Sequence, residues 1–246
     1  MLLRLSLVLL LAAPTLAAWP DDPTVNVPLS LAVGDKSDVF CVSDGQGGAI
    51  VAWEDTRGGD RDIYVQRVNA QGAVLWQADG VAVCTAPGDQ GLYHSSTGTT
   101  GFAPLVADGA GGAWLVWQDE RAFGARLRDV YAQRINAAGE VLLAEGGVPV
   151  ATGAGMEDQP TACPDGAGGV IVVWQDKNTD PVFYDLHGQR LSGAGEPLWN
   201  GGQPLPLVVV DWNQDGPTLA ADGHGGAYLA WSDGRDDVGD VYAQHL

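Results

Sequence analysis

The sequence predicts an all-β chain folded as a β-propeller of four four-stranded blades. Three observations predict it: a motif repeated four times, short apolar runs rich in Val, Ile, Trp and Tyr between Gly and Asp punctuation, and complementary chain ends. The composition agrees. Of 246 residues, 46% are hydrophobic, enough to bury a core, while 35 Gly and 14 Pro would break long helices.

The repeat opens on a turn. Asp44-Gly45-Gln46-Gly47-Gly48 recurs as Asp108-Gly109-Ala110-Gly111-Gly112, Asp165-Gly166-Ala167-Gly168-Gly169 and Asp222-Gly223-His224-Gly225-Gly226, at spacings of 64, 57 and 57 residues. Glycines there supply the positive φ of a tight connection between two strands. Strand a ends at this turn. Strand b runs from it to a Trp followed by x-Asp: Trp53 and Asp55, Trp117 and Asp119, Trp174 and Asp176, Trp231 and Asp233. Strand c is the block Asp62-Ile63-Tyr64-Val65-Gln66-Arg67, repeated from Asp129, Asp185 and Asp240, and a Gly-containing turn leads to the outer strand d, as in Val148 to Ala151. A radial array of such sheets leaves only short, protected edges.

The ends suggest closure. The fourth repeat stops at Leu246 after strand c, whereas Val27-Pro28-Leu29-Ser30 before the first strand a matches Val148-Pro149-Val150-Ala151. The expectation is a ring closed by the N-terminal strand within residues 19–33, followed by repeats at about 34–97, 98–154, 155–211 and 212–246. Residues 1–18, with Arg4, an apolar run from Leu5 to Leu11 and a small-residue end, have the pattern of a secretory signal peptide; its removal would leave no membrane insertion and a protein that is secreted, periplasmic or at the cell surface.

The charge narrows the partners. Thirty-one acidic residues against 12 basic give a net charge of −19, which disfavours nucleic acid and anionic membranes and leaves basic proteins, cations and neutral sugars. Three cysteines (Cys41, Cys84 and Cys163) allow at most one bridge and are expected as small buried hydrophobes; the four scattered histidines form no zinc pattern.

The strings from Trp53 to Arg67 and Trp117 to Arg134 resemble the β-propeller repeats of secreted and surface bacterial proteins, and look like a lengthened TolB-type repeat. The resemblance covers nearly all of residues 22 to 246 and implies fold and export, with no particular activity. The third repeat departs from the pattern: Asn178 stands where the others have Arg57, Arg121 and Arg235, and His187 stands where they have Tyr.

Within this scheme the four Trp pack between sheets. An Asp such as Asp55 caps the b–c turn, Arg57 bridges to an Asp across the hairpin, and the strand-c glutamines (Gln66, Gln133, Gln189 and Gln244) each bond backbone. The d–a and b–c loops share one face, and most acidic residues outside the repeat turns fall there. That face is the candidate ligand-binding rim for a protein or carbohydrate, with Asp55, Arg57, Asp119, Arg121, Asp158, Asp176, Asp233 and Arg235 as its candidate residues. Asp211-Trp212-Asn213-Gln214-Asp215-Gly216 has the oxygen side chains and turn glycine of the first half of a calcium loop, so Asp211, Asn213 and Asp215 are candidate Ca2+ ligands, in a clip shorter than an EF-hand. Hydrolase, P-loop and dinucleotide-binding motifs are absent from the sequence. The leading expectation is a non-enzymatic recognition module; the alternatives are a structural or assembly module of a larger surface protein and a carbohydrate-active hydrolase or lyase.

Overall fold

A computed structural model describes residues 19, 22, 24–92, 103–124, 127–177, 182–235 and 239–246. The expected signal peptide lies outside the described residues, as do Arg126, Asn178, Asp180, Asp236 and Asp237. Strand is the main regular structure. The first sheet holds β1 (Lys36–Ser43), β2 (Ala49–Asp55), β3 (Asp62–Val68) and β4 (Val81–Cys84), antiparallel in that order. In the second sheet, β5 (Gln90–Gly91) and β6 (Leu105–Ala107) are two halves of one strand a, both paired with β7 (Ala113–Asp119), followed by β8 (Asp129–Ile135) and β9 (Val148–Ala151). The third sheet repeats the order with β10 (Glu157–Pro164), β11 (Val170–Asp176), β12 (Asp185–Leu191) and β13 (Leu205–Val208). A three-stranded fourth sheet holds β14 (Gln214–Ala221), β15 (Ala227–Asp233) and β16 (Asp240–His245). No helix among the described residues is long and apolar enough to cross a membrane.

Consecutive sheets pack face to face, the arrangement of propeller-type blades. Ile50 and Ile63 of the first sheet pack with Leu115 and Trp117 of the second, and Trp114 and Val130 of the second pack with Val172 and Trp174 of the third. A third cluster joins Val173 and Leu186 to Leu229 and Trp231. Polar cross-links tie the seams: Trp114 Nε1 donates to the Gly168 carbonyl at 3.2 Å, and Arg67 Nη1 donates to that of Ala137 at 3.2 Å.

The Asp-Gly turns are built as the sequence predicts. Oδ1 of Asp44 accepts the N–H groups of Gln46 and Gly48, both at 2.8 Å, and the same Asp receives Arg67 from strand c. Arg134 with Asp108, Arg190 with Asp165 and His245 with Asp222 repeat this brace. The glutamine bonds recur as well. Nε2 of Gln66, Gln133 and Gln189 donates to the carbonyls of Gln77, Ala144 and Gln203.

Three of the four strands a carry a β-bulge, a feature the sequence reading did not foresee. Register shifts fall between Ser37 and Phe40, Asp158 and Thr161, and Asp215 and Thr218, where Asp38, Gln159 and Gly216 have φ of 47°, 50° and 60°.

Among the described residues no N-terminal strand completes the last sheet. Residues 24–33 contain no strand, and β16 pairs only with β15 among the described residues. The segment instead lies against the first sheet as each strand d lies against the sheet that follows it: Ser30 Oγ accepts Arg57, and the Leu31 N–H donates to Asp79. Both terminal faces are consequently open. Val39 is 64% exposed on the first sheet, and Tyr228 and Val241 are 59% and 85% exposed on the last. Cys41 sits on that first face and is exposed, correcting its assignment to the core; Cys84 and Cys163 are buried, and burial pushes both thiols up to about 11.

Candidate functional site

Three of the four repeats carry one clip where strand b turns into strand c. Nε1 of Trp53, Trp117 and Trp231 donates to Asp55, Asp119 and Asp233 at 3.0, 2.8 and 2.8 Å. The other oxygen of each Asp accepts the backbone N–H two residues on, at 2.9, 2.9 and 3.0 Å, which is an Asx-turn. The arginine at that second position folds back on its own Asp, at 2.6 Å in Arg57–Asp55 and 2.7 Å in Arg121–Asp119, with Arg235–Asp233 closed the same way. Each guanidinium lies over the strand-c tyrosine, 3.8 Å from the Tyr64 ring centroid, 3.9 Å from that of Tyr131 and 4.2 Å from that of Tyr242. The arginine therefore bridges to the Asp of its own turn and stacks on the hairpin, where the sequence reading expected a bridge across it. Six candidate rim residues, Asp55, Arg57, Asp119, Arg121, Asp233 and Arg235, are thereby engaged in holding the b–c turns.

The third repeat has Asn178 where the others have the clip arginine. Trp174 still donates to Asp176, at a longer 3.4 Å, and stacks on His187 as the other Trp residues stack on Tyr. His187 is 7% exposed, and its Nδ1 lies 3.9 Å from Asp176 Oδ2. Beside them opens a cavity of about 810 Å³, lined by Glu157, Asp176, His187 and Glu196 together with Val148–Gly153 on β9 and its exit, and Gly202–Pro204 entering β13. Glu157 and Asp176 are direct cross-strand partners. The corresponding partners of the clip Asp residues are Lys36, Gln90 and Gln214. The sequence places Glu157 on the same acidic face as Asp176 without marking it as a candidate; its signal is an acidic residue at the first position of strand a, legible once the four strands are aligned.

Asp158, the remaining rim candidate, is buried next to the bulge. Arg128 and the Tyr184 hydroxyl approach it at 3.5 and 3.4 Å, and burial outweighs them to raise its carboxyl above the usual range. Gly216, the turn glycine of the calcium-loop motif, is the bulge residue of β14 and the counterpart of Asp38 and Gln159. Asn213 Oδ1 accepts the Tyr184 N–H at 3.0 Å, Asp215 Oδ1 accepts Gln175 Nε2 at 2.9 Å, and Asp211 is exposed. No group of three His, Cys, Asp or Glu side chains among the described residues is arranged to hold a metal ion.

No family model and no curated protein matches the chain. Its likenesses are to solved structures. It is similar to a putative TolB from Agrobacterium tumefaciens at 16% identity and TM-score 0.47, over 90% of this chain and 64% of that one, so it spans less than two thirds of that protein. A thermostable family-43 glycoside hydrolase aligns at 10% identity and TM-score 0.46 over 87% and 72% of the two chains. An α-L-arabinanase of Penicillium chrysogenum aligns at 12% and 0.43 over 90% and 60%. Identities this low leave the activity unassigned.

The clips set an acid-side stability optimum. Arg235 and Trp231 hold Asp233 at about 2; for Asp55, burial works upward but is outweighed by Arg57 and Trp53, again to about 2. Their contribution is present above the unfolded carboxylate value of about 4 and is lost as pH falls towards 2. Asp62 has the opposite sign. Burial, then the neighbouring Asp60 and Asp55, raise it to about 6, and burial also raises Asp158 and Asp215. Asp62 favours the folded state when protonated, and its contribution disappears as pH rises from about 4 through 6; Asp158 and Asp215 act in the same direction. The melting temperature is expected to peak near pH 4, on the order of the unfolded carboxylate pKa, and to drop on both sides; a scan flat from pH 4 to 7 would contradict the assignment of Asp62.

Proposed function

We propose that the chain is a secreted or periplasmic recognition module that binds a protein or carbohydrate ligand on its acidic loop face, at the third repeat. One observation carries this reading. The repeats that keep the arginine close their b–c turns with it, whereas the third presents a cavity of about 810 Å³ with three carboxylate side chains in its lining. That volume lies within the range of small-ligand sites, and a few polar groups converging in a concave seam are what such sites share. The test is a screen of glycans and proteins against the wild type and against Ala151→Leu, which fills the cavity from β9 without changing charge. Capture by the wild type that drops at least tenfold in the variant is expected; equal capture by both moves the binding surface elsewhere.

A second reading, a carbohydrate-active hydrolase, is favoured by the cross-strand pair Glu157 and Asp176. Direct cross-strand partners have Cβ atoms about 5 Å apart, compatible with the roughly 5–9 Å separations of glycosidase carboxylates. Turnover on a polysaccharide panel that disappears in Glu157→Gln would establish it, and an inert panel would remove it.

A further inference from the structure

The two exposed terminal faces are the two halves of a seam that the chain builds three times. On the outgoing side of the first three sheets, Ile50, Trp114 and Ile171 at the second residue of strand b have no exposed surface, and neither have Ile63, Val130 and Leu186 at the second residue of strand c. The same positions of the fourth sheet are Tyr228 and Val241, 59% and 85% exposed. On the incoming side, Ala162 and Leu219 of strand a pack against the sheet before them, whereas their counterpart Cys41 is exposed.

The first sheet already carries part of a neighbour. Trp19 and residues 24–31 lie on it as the c–d limb of each sheet lies on the next. The Trp19 ring covers Gly72, where an added Cβ would come within 3.3 Å of it, as Trp76 covers Gly139 and Leu143 covers Gly195. Arg57 Nη2 donates to Ser30 Oγ at 3.2 Å, as Arg121 Nη2 donates to Cys84 Sγ at 3.4 Å. Val27-Pro28-Leu29-Ser30 thus stands in the strand-d place of a preceding sheet, and among the described residues that sheet has no strands a to c, while β14–β16 have no strand d. One docking step satisfies both ends. The other c–d pairs set Ile63 opposite Cys84, Val130 opposite Ala151 and Leu186 opposite Val208; in that register β16 sets Val241 opposite Ser30, and Tyr228 and Val241 come to lie on the first sheet.

We propose that copies of this chain associate head to tail, the fourth sheet of one copy docking on the first sheet of the next and taking residues 27–30 of that copy as its fourth strand. The occupant is a second copy because each exposed face displays the half of the repeated seam that the other needs. Strand addition at the edge of β16 supplies main-chain hydrogen bonds, and the matched apolar faces fix which edge is used. Such a contact is heterologous: two copies make a ring if the rotation closes, and a growing chain of copies if it does not. Dilution returns the single arc with both faces exposed. Each copy carries a net charge of −19, so added salt strengthens the association by screening the repulsion between copies.

The test is sedimentation of the intact protein over a dilution series, alongside Val241→Lys, followed by cross-linking. The mass is expected to rise above the monomer with concentration, and to rise further in added salt. Val241→Lys should weaken association at least tenfold while leaving the melting temperature in dilute solution unchanged, because that side chain is exposed in the single arc. A plateau at two copies identifies the ring, and continued growth identifies the chain of copies. To locate the contact, Ser30→Cys and Val241→Cys are placed in separate proteins that also carry Cys41→Ser, then mixed and treated with a short bis-maleimide. A cross-linked pair formed in the mixture and in neither protein alone sets Val241 of one copy beside Ser30 of another. Monomer mass at every concentration, or association that Val241→Lys leaves intact, overturns the proposal. So does a protein carrying both cysteines that is cross-linked within one copy at all concentrations, since the ring then closes on itself. None of these results bears on the recognition reading, whose cavity lies at the third repeat.

Discussion

Gly112→Ala is expected to destabilise the protein by about 3 kcal/mol or more, the upper range for overpacking where backbone cannot move. A Cβ at Gly112 would lie 2.1 Å from the Ile135 carbonyl oxygen and 2.9 Å from Asn136 Cα. Both are backbone at the end of β8, where the chain turns back towards strand d, so no rotamer change relieves the contact. The same approach recurs at Gly48, Gly169 and Gly226, each within 2.4 Å of a carbonyl oxygen at the end of its strand c. This close passage explains why the second of the paired glycines is kept in every copy of the turn. Gly109→Ala is the control. Its Cβ would meet nothing within 4 Å, and its φ of 76° should cost about 1 kcal/mol, the usual left-handed penalty. Urea titration of both variants reads the difference, and equal losses would refute the steric account.

The repeat was legible because turn chemistry and short apolar runs are local, and so were the strand order and the aspartate of each turn. The partner of the clip arginine was not. Asp55 and Asp62 are both near Arg57 in sequence, and only the fold-back of the guanidinium over Tyr64 decides between them. The bulge at Gly216 was hidden for a related reason: its other occupants, Asp38 and Gln159, share no residue type with Gly216, so the positive φ they have in common left no pattern to read. At the third repeat the departures at Asn178 and His187 were visible in the sequence. Their consequence was hidden, because the walls of the seam come from two successive sheets and from a glutamate set opposite Asp176 by strand register. Ring closure was hidden more deeply still. Matching ends show that two segments could pair, whereas the curvature between sheets, which decides whether they meet, is a property of packing and not of period.

Val130→Ala and Val241→Ala delete the same two methyl groups from the same position of the repeat, the second residue of strand c, and are expected to differ by about 2 kcal/mol. Val130 has no exposed surface and packs with Trp174 and Val172 of the following sheet, so its truncation removes buried apolar area and leaves a void. Val241 is 85% exposed because, among the described residues, no further sheet lies against β16, and truncation there should fall within about 0.5 kcal/mol of neutral. The pair measures closure in solution. If the ring closes, whether through residues 27–30 taking the strand-d place beside β16 or through another sheet covering that face, Val241 becomes buried and its truncation must cost as much as that of Val130. A small loss at Val241, together with a large one at Val130, means that the four sheets stand as an open arc. The first sheet offers the reciprocal check, since Val39 is 64% exposed on the face that a closing sheet would have to cover.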